Sequence, residues 1–141
     1  MMKRRILLSR GAAWCSPFVL SGALAQPLTE EQVSLTEARR LHQAGQAILI
    51  DIREPNEYAT GVAAGAILLP MSQLSQRVRE IPVDSRVPVL LICRTQNRSS
   101  ATLRALRKQL GEQNYAHVRF VQGGMSEWAQ RGWPMMPPAK P

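Results

Sequence analysis

The segment Cys93-Arg94-Thr95-Gln96-Asn97-Arg98-Ser99 sets a thiol, two guanidinium groups and several polar side chains within seven positions. It follows an apolar run over residues 87–92 and precedes a stretch in which Leu103, Leu106 and Leu110 recur on one helical face. Cys93 therefore stands at the carboxyl end of an expected buried strand, where the next helix begins. A loop curled around it turns backbone N–H groups inward, and the helix N-terminus adds positive partial charge. Arg94 and Arg98 add full charges. All of these stabilise a negative sulfur, and the same donors would hold an oxyanion beside it. A nucleophile in an anion cradle, with no evident general base, suits direct attack of a thiolate on an electrophilic sulfur. The competing reading is an inert core cysteine ahead of a basic helix start, and the two arginines argue against it.

The elements that must position this loop alternate between helical and extended patterns. Ser34-Leu35-Thr36-Glu37 has the form of a capping box, and Leu35, Ala38 and Leu41 share one face of the helix it opens, with Gly45 beyond its end. Residues 47–52 read as a buried strand, 55–58 as a short helical turn, and 65–69 as a second strand closed by Pro70. Leu74, Val78 and Ile81 are spaced as one face of a short helix ended by Pro82. Val118 and Phe120 mark a further strand, and 126–131 a last helix after Gly123-Gly124. The tail from 134 to 141 holds four prolines and is expected to be extended. Strands separated by helices imply a parallel or mostly parallel sheet with helices on both faces. The near-continuous apolar strands agree, since both their faces would be buried. Ligands of such sheets bind at the carboxyl ends of the strands, where Cys93 falls.

Residues 1–25 read as an export signal: a basic start, Met1-Met2-Lys3-Arg4-Arg5, then an interrupted apolar stretch, then Ala23-Leu24-Ala25 as a small-x-small cleavage site. Arg4-Arg5 ahead of Ile6-Leu7-Leu8 is similar to a twin-arginine signal, with the general secretory route as the alternative. Either implies a bacterial periplasmic location. Arg10 interrupts the apolar run, which is too short for the roughly 20 residues of a membrane span, so no stable span is expected after cleavage. Trp14 before Cys15 is too bulky for lipoprotein processing. Residues 26–33 then form a mature N-terminal segment ahead of a domain over 34–134.

The 141-residue chain carries 18 basic and 10 acidic residues, a formal charge of +8. Loss of Lys3, Arg4, Arg5 and Arg10 with the signal leaves 14 basic residues against 10 acidic ones, or +4. Much of the basic excess is thus an address, and no nucleic-acid partner is implied. Cys15 leaves as well, so Cys93 is then the lone thiol in an oxidising compartment, either buried and inert, paired with another chain, or kept for its reactivity. His42 and His117 have no cysteine or carboxylate company at ligand spacing, so no metal site is expected.

Three blocks resemble the single-domain rhodanese family, sulfurtransferases of the thiosulfate type. Asp51-Ile52-Arg53-Glu54-Pro55-Asn56-Glu57-Tyr58, with Gly61 and Gly65-Ala66, is similar to the family's first signature. Cys93 through Ser99 is similar to its active-site loop. Gly123-Gly124-Met125-Ser126-Glu127-Trp128, with Gly132-Trp133-Pro134, is similar to its closing signature. The resemblance implies a three-layer α/β sandwich around a five-stranded, mostly parallel sheet. It also implies that Cys93 accepts a sulfane sulfur as a persulfide and passes it to cyanide, a small thiol or a protein acceptor. Arg94, Thr95, Gln96, Asn97, Arg98 and Ser99 would bind the donor, with no cofactor.

Two positions depart from the family pattern. Val62-Ala63 stands where His-Ile is common, a change expected to affect packing more than chemistry. Gln96 stands where the loop often has glycine. A positive φ there would cost a non-glycine residue about 1 kcal/mol, and the side chain would narrow the pocket or donate to a bound oxyanion. Asp51 paired with Arg53 is expected to fix a loop near the site and not to act as acid or base. Glu57 reads as a solvated or capping carboxylate, Trp128 and Trp133 as caps on the core, and Arg104, Arg107 and Lys108 as the wet face of a helix. Two other functions fit the pattern. One is a phosphatase or arsenate reductase on the same fold, though those relatives have one more residue between cysteine and arginine than the four separating Cys93 from Arg98. The other is a binding module without turnover, against which the retained Cys93 and both arginines argue.

Overall fold

The computed structural model describes residues 31–139, and the segment read as an export signal lies outside them. Five parallel strands form one sheet: β1 (Gln32–Val33), β2 (Ile48–Asp51), β3 (Ile67–Leu68), β4 (Val89–Ile92) and β5 (Val118–Val121). Their spatial order is β1-β5-β4-β2-β3. Both expected features, five strands and helices on two sides, are present. The sheet begins ahead of Ser34, because Gln32–Val33 pairs with Phe120 and Val121 as an edge strand. Two residues carry no readable period, so only the pairing reveals this strand.

The alternation of the pleat divides the core in two. Val89, Leu91 and Cys93 face one side, with Ile50, Ile52, Leu103, Leu106 and Phe120. Leu90 and Ile92 face the other, with Leu49, Val121, Ala38, Met125 and Trp128. The helices α2 (Leu74–Arg77) and α3 (Asn97–Leu110) belong to the first layer, and α1 (Leu35–Gln43) and α4 (Gly124–Gln130) to the second. Every residue of β4 is buried, which is why its sequence is apolar without interruption.

Several local expectations change in detail. Ser34 caps α1 by accepting the Glu37 amide at 3.2 Å, but the Glu37 carboxylate turns to Arg40 at 2.7 and 2.8 Å, so the box is half formed. The stretch around Leu74, Val78 and Ile81 is a single α turn between two 3-10 turns, since Pro70 and Pro82 leave little room for more. Arg107 is not on the wet face of α3. It is largely buried, donates to the carbonyls of Tyr115 and Val118 at 3.4 and 3.2 Å, and pairs with Glu31 at 2.9 Å. Arg104 and Lys108 are the exposed members of that row. The tail is held at Met136, whose backbone forms an antiparallel bridge with Val62 at 2.7 and 2.8 Å. Val62 and Ala63 are buried, so these two departures from the family pattern pack the core. No helix among the described residues is long and apolar enough to cross a membrane.

Candidate active site

β2 and β4 lie side by side with Asp51 opposite Ile92. From β2 the chain crosses outward to β3 at one edge, and from β4 it crosses the opposite way to β5. Their carboxyl ends therefore flank the point where the crossovers diverge and a crevice opens. Cys93 follows β4 directly, and residues 52–60 follow β2.

Asp51 and Arg53 form a buried ion pair, 2.7 Å at its shortest, with exposures of 0 % and 3 %. Arg53 also donates to the Gly61 carbonyl at 2.8 Å, and to the Glu57 carbonyl and Thr60 Oγ1 at 3.3 Å. A single guanidinium thus folds the whole segment around itself, with the Tyr58 ring beside it. Burial pushes the Tyr58 hydroxyl above its ordinary range, and it donates to the Asp51 carbonyl at 3.0 Å.

Cys93 is fully buried, and its Sγ lies 3.4 Å from the buried Ser99 Oγ. Ser99 in turn donates to the Gln96 carbonyl at 3.1 Å. Asn97, Arg98 and Ser99 are the first three residues of α3, whose amides have no intrahelical acceptor; the Ser100 amide is the one that closes on Gln96 O, at 2.9 Å. Arg94, Thr95, Gln96 and Asn97 are exposed. Gln96 has φ −151° and no non-glycine residue among those described has positive φ, so the anticipated backbone cost is absent. Its Oε1 accepts the Gly123 amide at 3.4 Å, which turns the side chain toward the closing glycines.

Those glycines hold the loop from behind. The Met125 and Ser126 amides donate to the Cys93 and Arg94 carbonyls, both at 2.8 Å. Gly124 has φ +60°, and a Cβ on it would lie 2.1 Å from the Thr95 carbonyl oxygen and 2.5 Å from that of Cys93. Only glycine permits this approach. The closing segment and the cysteine loop are therefore one structural unit, although 30 residues separate them in sequence.

The sequence reading assigns Glu57 a solvated or capping role, and its place in the site is larger. It does cap, accepting the Glu54 amide at 2.9 Å. It also grips Arg98 through two bonds of 2.6 and 2.7 Å. Arg98 holds the Glu57 carboxyl at about 2, well below its usual range. A long-range pair of this kind has no local signal; Glu57 alone looks like a solvated or capping charge, and Arg98 like a donor-binding one.

Two clefts flank the loop. One, of about 480 Å³, is lined by Arg53, Asn56, Glu57, Thr60, Arg94 and Ser126, among others. The other, of about 600 Å³, has Thr95, Gln96, Asn97, Gly123, Glu127 and Arg131 on its walls. Arg98 lines neither. Among the described residues no cluster of His, Cys, Asp and Glu could hold a metal ion.

The profile of the rhodanese-like domain matches residues 34–131. The chain belongs to the rhodanese-like family. A Bacillus subtilis protein, the uncharacterized YqhL, is 36 % identical over 107 residues, covering 74 % of this chain and 80 % of its own. A protein of Allochromatium vinosum named a sulfurtransferase is 35 % identical over 101 residues, covering 72 % and 89 %. The crystal structure of a rhodanese-related protein from Thermoplasma volcanium superimposes with a TM-score of 0.61 at 26 % identity, covering 77 % of this chain and all of that one. The rhodanese-like domain here thus has a sulfurtransferase among its relatives and shares the family's sheet and helix layers.

Proposed function

We propose that the protein is a sulfurtransferase that carries sulfane sulfur as a persulfide on Cys93. The observation that carries this reading is the position of Cys93: the one cysteine of the described domain, at the crevice end of the central strand, beneath a loop that leads into the N-terminus of α3. With thiosulfate, the Cys93 thiolate attacks the outer sulfur, the S–S bond breaks, and sulfite leaves with the electron pair. A thiol or cyanide then attacks the outer sulfur of the persulfide and returns Cys93 as thiolate. Neither step needs a cofactor or a strong general base.

In this reading Arg94 at the cleft and the amides of residues 97–99 bind the donor. Arg98, turned to Glu57, fixes the loop. Full burial of Cys93 keeps bulk oxidants from its sulfur between turnovers, which suits the exported location read from residues 1–25. The reading is supported by the family membership and by the sulfurtransferase relative. The test is release of thiocyanate when the full chain is given thiosulfate or polysulfide with cyanide. Wild type is expected to turn over and Cys93→Ser to be inactive; equal rates in the two would refute a Cys93 carrier. Faster cleavage of a phosphate ester than of any sulfur donor would favour an oxyanion enzyme instead.

A further inference from the structure

Trp133, half-buried just beyond α4, has two guanidinium groups on its ring. That of Arg39, on α1, lies 4.5 Å from the ring centre, and that of Arg131 lies 4.9 Å from it. Trp128 meets Trp133 edge-on with ring centres 5.2 Å apart, and Arg39 is 5.9 Å from the Trp128 ring. The charges around this stack are paired, with one exception. Arg131 is matched by Glu127 and donates to Thr36 Oγ1 at 2.8 Å. Arg40, next to Arg39 on α1, is matched by Glu37. Arg39 makes neither an ion pair nor a hydrogen bond among the described residues, and its Nε is buried. The indoles hold its planar group by the face and leave its terminal N–H donors unused.

Arg131 connects this stack to the cysteine loop. It lines the cleft of about 600 Å³ that Thr95, Gln96 and Asn97 also line. The one carboxylate of that cleft, Glu127, is the partner of Arg131, and its other side chains are neutral and polar. A chain laid from the loop toward α1 therefore meets hydrogen-bonding groups first and an uncompensated guanidinium last. Arg39 is not a wall of the cleft, so a ligand that touches both is longer than a small thiol lodged in the cleft.

We propose that this surface docks a polypeptide sulfur acceptor, an acidic side chain of which pairs with Arg39 while its cysteine is delivered at the loop over Cys93. The proposal rests on the sulfurtransferase reading above and adds the acceptor to it. The acceptor thiolate attacks the outer sulfur of the Cys93 persulfide and the S–S bond breaks. Cys93 leaves as thiolate with the electron pair. The outer sulfur and its proton stay with the acceptor as a hydropersulfide, with no net oxidation and no further reactant.

The experiment loads the full chain with one sulfur from polysulfide and mixes it with two synthetic peptides, each with a single cysteine near one end. One carries glutamates at its far end, the other glutamines. Transfer is read by mass as sulfur lost from the protein and gained by the peptide. At low salt wild type should serve the glutamate peptide about 3- to 5-fold faster. Arg39→Gln should lose most of that preference, Arg39→Lys should keep most of it, and all three should react alike with cyanide. Equal rates for the two peptides on wild type, or a ratio that Arg39→Gln leaves unchanged, overturns the proposal. An arginine that only packs on the indoles would alter stability and not this ratio. Should the Arg39 variants fail to fold, wild type alone decides through a glutamate peptide with a photoreactive diazirine beside its glutamates. It should label residues 36–40 or 131–133; labelling confined to other residues overturns the proposal. No sulfur loaded on Cys93 overturns the sulfurtransferase reading and this one with it, an outcome distinct from transfer that ignores the peptide's charge.

Discussion

Glu57 and Arg98, 41 residues apart, are joined by two hydrogen bonds of 2.6 and 2.7 Å that tie the turn after β2 to the first turn of α3. The fork fixes the cysteine loop from the front, as Gly124 fixes it from behind. It also links stability to pH. Arg98 holds the Glu57 carboxyl at about 2 against an ordinary 4.5. A folded-state value below the unfolded one means that the stabilisation is complete above about pH 4.5 and is lost as pH falls toward 2. Because Glu57 is 23 % exposed, solvent screening reduces the contribution to about 1–2 kcal/mol. Urea unfolding at pH 6 and pH 3 should show wild type losing a little over half of that, about 1 kcal/mol, beyond the loss of Glu57→Gln over this interval. Equal losses would contradict the link.

Asp51 and Arg53 form the second ion pair of the site, and this one is buried. Removing either charge strands the other in the core, so Asp51→Ala and Arg53→Met should each cost about 3–5 kcal/mol. The double variant should cost clearly less than the sum, because no unpaired charge remains. A double-mutant cycle by urea denaturation tests this; additive losses would mean that the pair does not act as a unit.

Gly124 and Gly132 both have positive φ, at +60° and +65°, but only Gly124 is crowded. Gly132→Ala, with nothing within 4 Å of the added Cβ, should cost about 1–2 kcal/mol from backbone strain. Gly124→Ala must also push the Cys93 loop away and should cost about 2–4 kcal/mol. It should lower the rate of persulfide formation as well, whereas Gly132→Ala should not. Equal effects on stability and rate would show that the close approach of Gly124 has no functional weight.

What was legible from sequence follows from the range of the interactions. The apolar run into Cys93 and the leucine face behind it are local patterns, and they place the thiol at the crevice end of a buried strand. The Asp51–Arg53 pair is nearly local and was also readable. The Glu57–Arg98 fork is not, because its partners come from different blocks: Glu57 alone resembles a solvated charge, and Arg98 alone a charge turned to the donor. Gln32–Val33 is too short to show a period, and it becomes a strand by pairing with β5. Arg107 sits at a polar position of its helix but finds carbonyl acceptors in the segment that follows, which no helical pattern reveals. Gln96 stands where the family pattern often has glycine, but its φ of −151° is one that any residue adopts.

The central claim is that Cys93 carries the sulfur. Intact mass of the purified full chain, before and after thiosulfate or polysulfide and then after cyanide, tests it most directly, with Cys93→Ala run alongside. The account predicts a gain of one sulfur atom on wild type alone, lost again to cyanide as thiocyanate. A folded wild type with a free thiol that gains nothing from either donor, or a Cys93→Ala chain that gains the same mass, would contradict it.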